Sequence, residues 1–286
     1  MSTTAPSKRR VETNALPSGQ GLAEWANPFF KSSIGGKHLV AVTGLVLTGF
    51  VVVHMLGNLQ VFLGADAINA YAESLKKNTG LLWTVRVVLL SVFALHIGMA
   101  LRLNWRAKQA RPIRYAYEKT VKASFASRHM VVSGLVILAF AIFHIAHFTL
   151  GVVTPAPVSV RVVNADTKEI NTVVEYRNYL NLRDDRDRPD VYSMMLYGFR
   201  NPILSVIYLI AQVFLFLHLT HGVASMFQTI GLDTPRAHRL IRGLAWTVAL
   251  VVCLGNAGIV VGVWFGPLEP PPQMRTIGVL PVSPKN

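Results

Sequence analysis

Four histidines stand inside stretches otherwise made of lipid-soluble side chains: His54 in "VVVHMLGNLQ", His96 in "FALHIGMA", His144 in "AIFHIAHFTLG" and His218 in "FLHLTHG". An ionisable group is costly in such surroundings and points to function. Neutral imidazole is also a common metal ligand. His144 and His218 each have a second histidine three residues on, His147 and His221, so the H-x-x-H spacing occurs twice, 74 residues apart. On a helix that spacing puts both members of a pair on one face. His38 and His129 stand where apolar stretches begin and read as interfacial, whereas His238 lies in a basic segment and reads as solvated.

The elements that position these residues follow from composition. Of 286 residues 52% are hydrophobic and only 15% charged, which suits a membrane protein better than a soluble domain. A bilayer core of about 30 Å needs about 20 apolar residues in a helix. Five stretches qualify, at 38–63, 81–105, 129–153, 203–228 and 243–266. The first starts too late and runs too long for a cleaved signal peptide. The expected organisation is a polar, mobile tail at 1–30, a five-helix membrane domain at 31–266 with a long outer loop at 154–202, and a second tail at 267–286.

The helices carry an internal repeat. "VTGLVLTGFVVVH" (42–54) matches "VSGLVILAFAIFH" (132–144) at Val, Gly, Leu, Val, Phe and His, with Thr/Ser and Leu/Ile as near matches. His54 and His144 are 90 residues apart and His96 and His218 are 122 apart; the excess of 32 is the difference between loops of 49 and 17 residues. The expected fold class is therefore an all-α integral membrane bundle of five transmembrane helices, the first four forming two hairpins in parallel repeat.

Depth then sorts the histidines. At 1.5 Å per residue, His54 and His144 lie about 24 and 22 Å from the edge where the first span begins, and His96 and His218 both lie about 8 Å from it. Four imidazoles thus form two layers, each drawn from two helices. Two imidazoles at one depth suit both axial positions of a haem iron, and two such layers make a stack of two haems across the bilayer. The plainer reading is four histidines bonding to neighbouring helices.

Around this core stand residues with less specific signals. His147 and His221, one turn beyond their partners, suit haem propionates or helix-to-helix hydrogen bonds equally. Arg86, Arg102 and Lys37 sit near helix ends, where propionate contact competes with snorkelling to headgroups. Asn58 and Gln60, in "HMLGNLQ", could bond a quinone, a propionate or a neighbouring helix. "KSSIGGKH" (31–38), with Ser32 and Ser33, could hold a quinone head or merely cap the first helix. Gly98 and Gly222, near His96 and His218, would let a flat ring approach. Gly258, Gly262 and Gly266 form a doubled G-x-x-x-G that favours close helix contact, and the fifth helix, which lacks histidine, reads as scaffold.

The net charge of +14 reads as topology. With the N-terminus inside, the inner segments carry 16 Lys/Arg against 4 Asp/Glu and the outer ones 11 against 10, as the positive-inside rule requires. Nothing in this pattern calls for nucleic acid, although the basic inner surface could dock an acidic partner. The single cysteine, Cys253, lies among Val and Leu and excludes an internal disulfide, an all-cysteine iron–sulfur cluster and c-type haem attachment.

Three stretches carry a family resemblance: "SSIGGKHLVAVTGLVLTGFVVVHMLGNLQVF", "DVYSMMLYGFRNPILSVIYLIAQVFLFLHLTHGVASMFQTIG" and the histidine-bearing second and third spans. Over about 30–266 the chain resembles the dihaem cytochrome b membrane anchor of bacterial succinate:quinone oxidoreductases. The resemblance implies two b haems, an outer one held by His54 and His144 and an inner one by His96 and His218. It further implies a flavoprotein and an iron–sulfur subunit docked on the cytoplasmic face. Electrons would exchange with a membrane quinone, often menaquinone. The expected location is the bacterial inner membrane, with the N-terminus cytoplasmic and the C-terminus outside, within a complex of unspecified oligomeric state. The chain departs from the family in its long loop 154–202 with "RDDRDRPD", and no carboxylate within a span matches the one some relatives use at the outer side. Competing classes are a histidine-box di-iron hydroxylase, a haem b anchor of a hydrogenase or formate dehydrogenase, and a transporter.

Overall fold

The computed structural model describes residues 31–111, 123–153, 158–163, 170–176, 182–184 and 186–268. The expected tail at 1–30 and all of 267–286 beyond Leu268 lie outside the described residues.

Five helices are long and apolar enough to cross a membrane, and the chain is a multi-pass, all-α membrane bundle. The first, α1 (Ser33–Leu59), starts where Ser32 accepts the Gly35 N–H at 2.8 Å, a side-chain cap that satisfies one free amide of the first turn. A 3-10 turn extends it to Leu63, and Gly64 then turns the chain at φ 101°, a conformation glycine adopts without steric cost. The segment expected as a plain loop at 64–80 holds a second helix, α2 (Ala65–Lys77), with charged and apolar faces. Asn78 caps α3 (Thr79–Gln109). After the short α4 (Phe125–Arg128), α5 (Met130–Ile145) runs on through a π-helical turn to Leu150, and Gly151 in the left-handed region stops it.

The long loop is more structured than expected. Val158–Val163 (β1) pairs antiparallel with Ile170–Tyr176 (β2), from Val158 opposite Tyr176 to Val163 opposite Ile170, with an irregularity at Val162/Val163. Their runs of Val, Thr and Ile suit a pleated surface. Beyond them, α6 (Val191–Arg200) leads into α7 (Pro202–Thr229), which begins with Asn201 as cap and Pro202 in its first turn. This "NP" pair is the usual asymmetry of a helix start. The chain then forms α8 (His238–Phe265).

Helix α7 is the hub, packing along α8, α1 and α5, while α3 lies along α1 and touches α5 only sparsely. The core has two parts. Beyond the Leu59 end of α1, Val61, Ile68, Leu196, Phe199, Tyr208 and Ile259 are buried together; Met55, one turn before Leu59, joins Leu219, Val223, Ala245, Ala249 and Val252 in a second cluster. Outward-facing Leu90, Leu240 and Phe265 stay 65%, 76% and 86% exposed, an apolar surface that lipid rather than water must cover.

The fifth-span glycines behave differently from the pattern expected of them. A side chain at Gly258 would meet nothing within 4 Å, whereas one at Gly255 would run into Met55 and one at Gly262 would lie 2.9 Å from Phe62. The close approach of α8 to α1 therefore uses Gly255 and Gly262, two turns apart.

Candidate functional site

The histidine of each second helix is seated on the first helix of its own hairpin. His96 on α3 places Nδ1 3.0 Å from the Thr43 hydroxyl of α1. His218 on α7 places Nδ1 3.1 Å from the Ser133 hydroxyl of α5. Thr43 and Ser133 occupy equivalent positions in the sequence repeat, and the glycine after each makes room for the same ring. A Cβ at Gly44 would lie 3.2 Å from His96 Cε1, and one at Gly134 3.4 Å from His218 Cε1. The shared glycine, visible in the repeat without an evident purpose, thus serves the neighbouring helix's imidazole.

Hydrogen-bond donors decide which ring nitrogen is free. Thr43 Oγ1 gives its proton to the Leu39 carbonyl at 2.6 Å, with Val40 O at 3.2 Å. Ser133 Oγ gives its proton to the Met130 carbonyl at 3.1 Å. A hydroxyl has one proton to donate; with it assigned to the carbonyl, each oxygen accepts from its imidazole, and this assignment puts the proton of His96 and His218 on Nδ1 and the lone pair on Nε2.

The other layer joins His54 on α1 to His144 on α5, with ring centroids 5.8 Å apart and planes at 84°. The Asn58 amide lies 3.2 Å from His54 Nε2, so Asn58 would have to release that nitrogen for it to serve as a ligand. His144 Nδ1 is 3.1 Å from the Tyr208 hydroxyl of α7, which is also 2.9 Å from His147 Nδ1. Along α1, Thr43 and His54 mark the two layers eleven residues apart, about 16 Å at the helical rise.

The remaining predicted residues divide. His147 is fully buried, and its bond to Tyr208 is the helix-to-helix alternative; Gly198 of "GFRNP" gives room to Phe148 and the His147 ring. His221 lies one turn from His218 on α7. Arg86 sits 5.1 Å above the Trp83 ring. Arg102 and Arg106 reach the Lys31 carbonyl at 3.4 and 2.6 Å, where they tie α3 to the start of α1. Lys37 and Ser33 are exposed, and Ser32 is engaged as the α1 cap. Asn58 lines a cavity of about 180 Å3 with His54, Tyr71 and Val191, which Gln60 does not reach. Gly98 has nothing within 4 Å of a would-be Cβ, and Gly222 only Met130 at 4.0 Å.

Whether these residues suit a haem can be judged from the donor set and the space. Imidazoles with Nε2 lone pairs are axial donors for iron. None of the residues of α3 is buried, Gly98 opens onto space, and His54 is exposed although Met55 and Gly57 beside it are buried. Loose packing of this kind leaves room for a flat ring beside the histidines. Among the described residues no three His, Cys, Asp or Glu converge as a single metal-ion cluster.

The cluster "RDDRDRPD", unassigned from sequence, forms a cap at the Leu59 end. Asp66 on α2 accepts from Arg186 at 2.9 Å and Arg188 at 2.7 Å, and Arg188 also reaches Asp184 at 2.8 Å. The buried Asn69 donates to Asp190 at 3.1 Å and accepts the Tyr192 N–H at 3.0 Å. Hydrogen bonding from Arg188 and the nearby Arg186 charge hold the Asp66 carboxyl below the usual range. Burial pushes Asp184 up, but bonds from the Arg188 backbone and side chain outweigh it and leave the carboxyl lowered. These contacts seat α6, and through it the start of α7, on α2 beside the His54–His144 layer.

No family model, curated protein or solved structure matches the chain.

Proposed function

We propose that the chain is the membrane anchor and electron-transfer subunit of a succinate:quinone oxidoreductase, holding two b haems between four of its helices. The observation that carries this reading is the arrangement of the histidines: His54 and His144 meet at a centroid distance of 5.8 Å, and His96 and His218 are each seated on the repeat-equivalent hydroxyl, Thr43 or Ser133, of the neighbouring helix. Bound there, a haem supplies one-electron chemistry at low-spin iron. The chain's own part is to present Nε2 nitrogens, hold the rings in fixed orientations and keep water out of the bundle. Two layers about 16 Å apart relay electrons between a quinone and an iron–sulfur subunit. In this proposal the Ser33 end, with its basic segments, faces the bacterial cytoplasm and docks the iron–sulfur and flavoprotein subunits, while the C-terminus lies outside. The cavity at His54, Asn58 and Tyr71 supports a quinone head, menaquinone in the family, beside the outer pair. Succinate oxidation or fumarate reduction, as in the tricarboxylic acid cycle, belongs to the soluble partners.

A histidine-box di-iron site is disfavoured because the histidines divide into two layers instead of converging. Purification of the tagged chain from native membranes tests the assignment. The reading expects co-purifying covalent or tightly bound flavin, iron–sulfur signals and succinate-reducible haem. Haem with a hydrogenase or formate dehydrogenase partner, and no flavin, would reassign the anchor to that class.

A further inference from the structure

We infer that Thr43 and Ser133 are positioning residues for the inner histidine pair: each fixes the nitrogen its histidine presents to iron and lowers the reduction potential of the haem held there. The inference rests on the haem reading above and goes beyond it by assigning roles to two residues that touch no cofactor.

Both hydroxyls are buried, Thr43 at 6% and Ser133 at 2% exposure. A Ser or Thr within a helix commonly bonds the carbonyl one turn back, which alone is unremarkable and mildly unfavourable to the helix. Here each oxygen has a second task. With its proton committed to Leu39 or Met130, it can only accept, and what it meets is Nδ1 of a ring on the next helix. An accepted Nδ1–H leaves Nε2 as the nitrogen with the lone pair. It also raises the basicity of the ligand, which favours ferric over ferrous iron. The arrangement occurs twice, on helices related by the repeat, with a glycine next in sequence at both places to admit the ring. The outer pair is held differently: His144 Nδ1 meets a phenol that it shares with His147.

The test uses the full chain, purified with its partners, as wild type, Thr43→Val, Ser133→Ala and the conservative variants Thr43→Ser and Ser133→Thr. Haem content, redox titration in the visible region and the low-spin ferric resonance are read for each. The inner component is identified as the one missing from His96→Ala. The expected result is two haems per chain, an upward shift of the inner midpoint in Thr43→Val and Ser133→Ala with altered ferric g values, an unmoved outer midpoint, and wild-type values in the conservative variants. Retention of both haems with an unmoved inner midpoint overturns the inference, as does an equal shift of both. If Thr43→Val loses the inner haem, its recovery in Thr43→Ser supports the inference and its loss there overturns it. Absence of haem from the wild type would instead sink the haem reading itself, and the inference with it.

Discussion

His54 and His144, 90 residues apart in the chain, lie with ring centroids 5.8 Å apart and planes nearly perpendicular, each on the first helix of its own hairpin. This contact couples the two halves of the repeat. It predicts paired loss: His54→Ala or His144→Ala removes one and the same haem, and His96→Ala or His218→Ala removes the other. Spectral resolution of the two components in each variant checks this, and loss of the same component from His54 and His96 variants would contradict the pairing.

Tyr208 holds both histidines of α5 from the neighbouring helix. Its replacement by Phe takes that partner from the fully buried His147 and the partly buried His144, at about 1–3 kcal/mol for an unsatisfied buried group. The expected outcome is a lower unfolding midpoint and a broadened ferric signal of the outer haem alone.

The cap depends on Asn69, which is 1% exposed and bonds both Asp190 and the Tyr192 amide. Asn69→Ala should cost about 1–3 kcal/mol and expose the 182–190 segment to protease. Thermal unfolding in detergent and limited proteolysis report the two effects.

The same cap should respond to acid. Asp66 and Asp184 have carboxyls held below the ordinary value of 3.8, so they bind protons more readily unfolded than folded. Their stabilisation is fully present above that value and is lost as pH falls through the depressed ones. Proteolysis with an acid-tolerant protease should show the 182–190 segment protected from neutral pH down to about 4 and cleaved faster below it. Asp66→Asn should remove its share of this dependence.

Helix α8 approaches α1 through Gly255, where a side chain would run into Met55, whereas Gly258 has open space. Gly255→Leu overpacks the contact and should cost about 1–3 kcal/mol. Gly258→Ala should be neutral or slightly stabilising, since alanine favours the helix by up to about 1 kcal/mol. Thermal midpoints of the two variants separate these cases.

Much of the scaffold was legible because helical rise and bilayer thickness are nearly fixed. The five apolar runs became five long helices, and counting along them put His54 level with His144. The repeat showed a shared Gly and a Thr/Ser before it, but their use depends on which helix packs alongside, and spacing along one strand of sequence is silent on that. Tyr208 gave no signal, since a lone aromatic in an apolar helix looks like packing. The cap was hidden for a different reason: Asp66 and Arg188 are 122 residues apart, and a charge cluster looks solvated until its counter-ions are placed. The β-branched runs at 158–163 and 170–176 did carry a strand pattern, masked by the expectation of a plain loop.

Haem stoichiometry measures the central claim most directly. Pyridine haemochrome analysis of the purified chain, set against protein mass, should give two b haems per polypeptide, with dithionite-reduced spectra showing sharp low-spin bands. A preparation that is folded and helical yet shows no porphyrin absorbance after expression with ample haem supply would contradict the account.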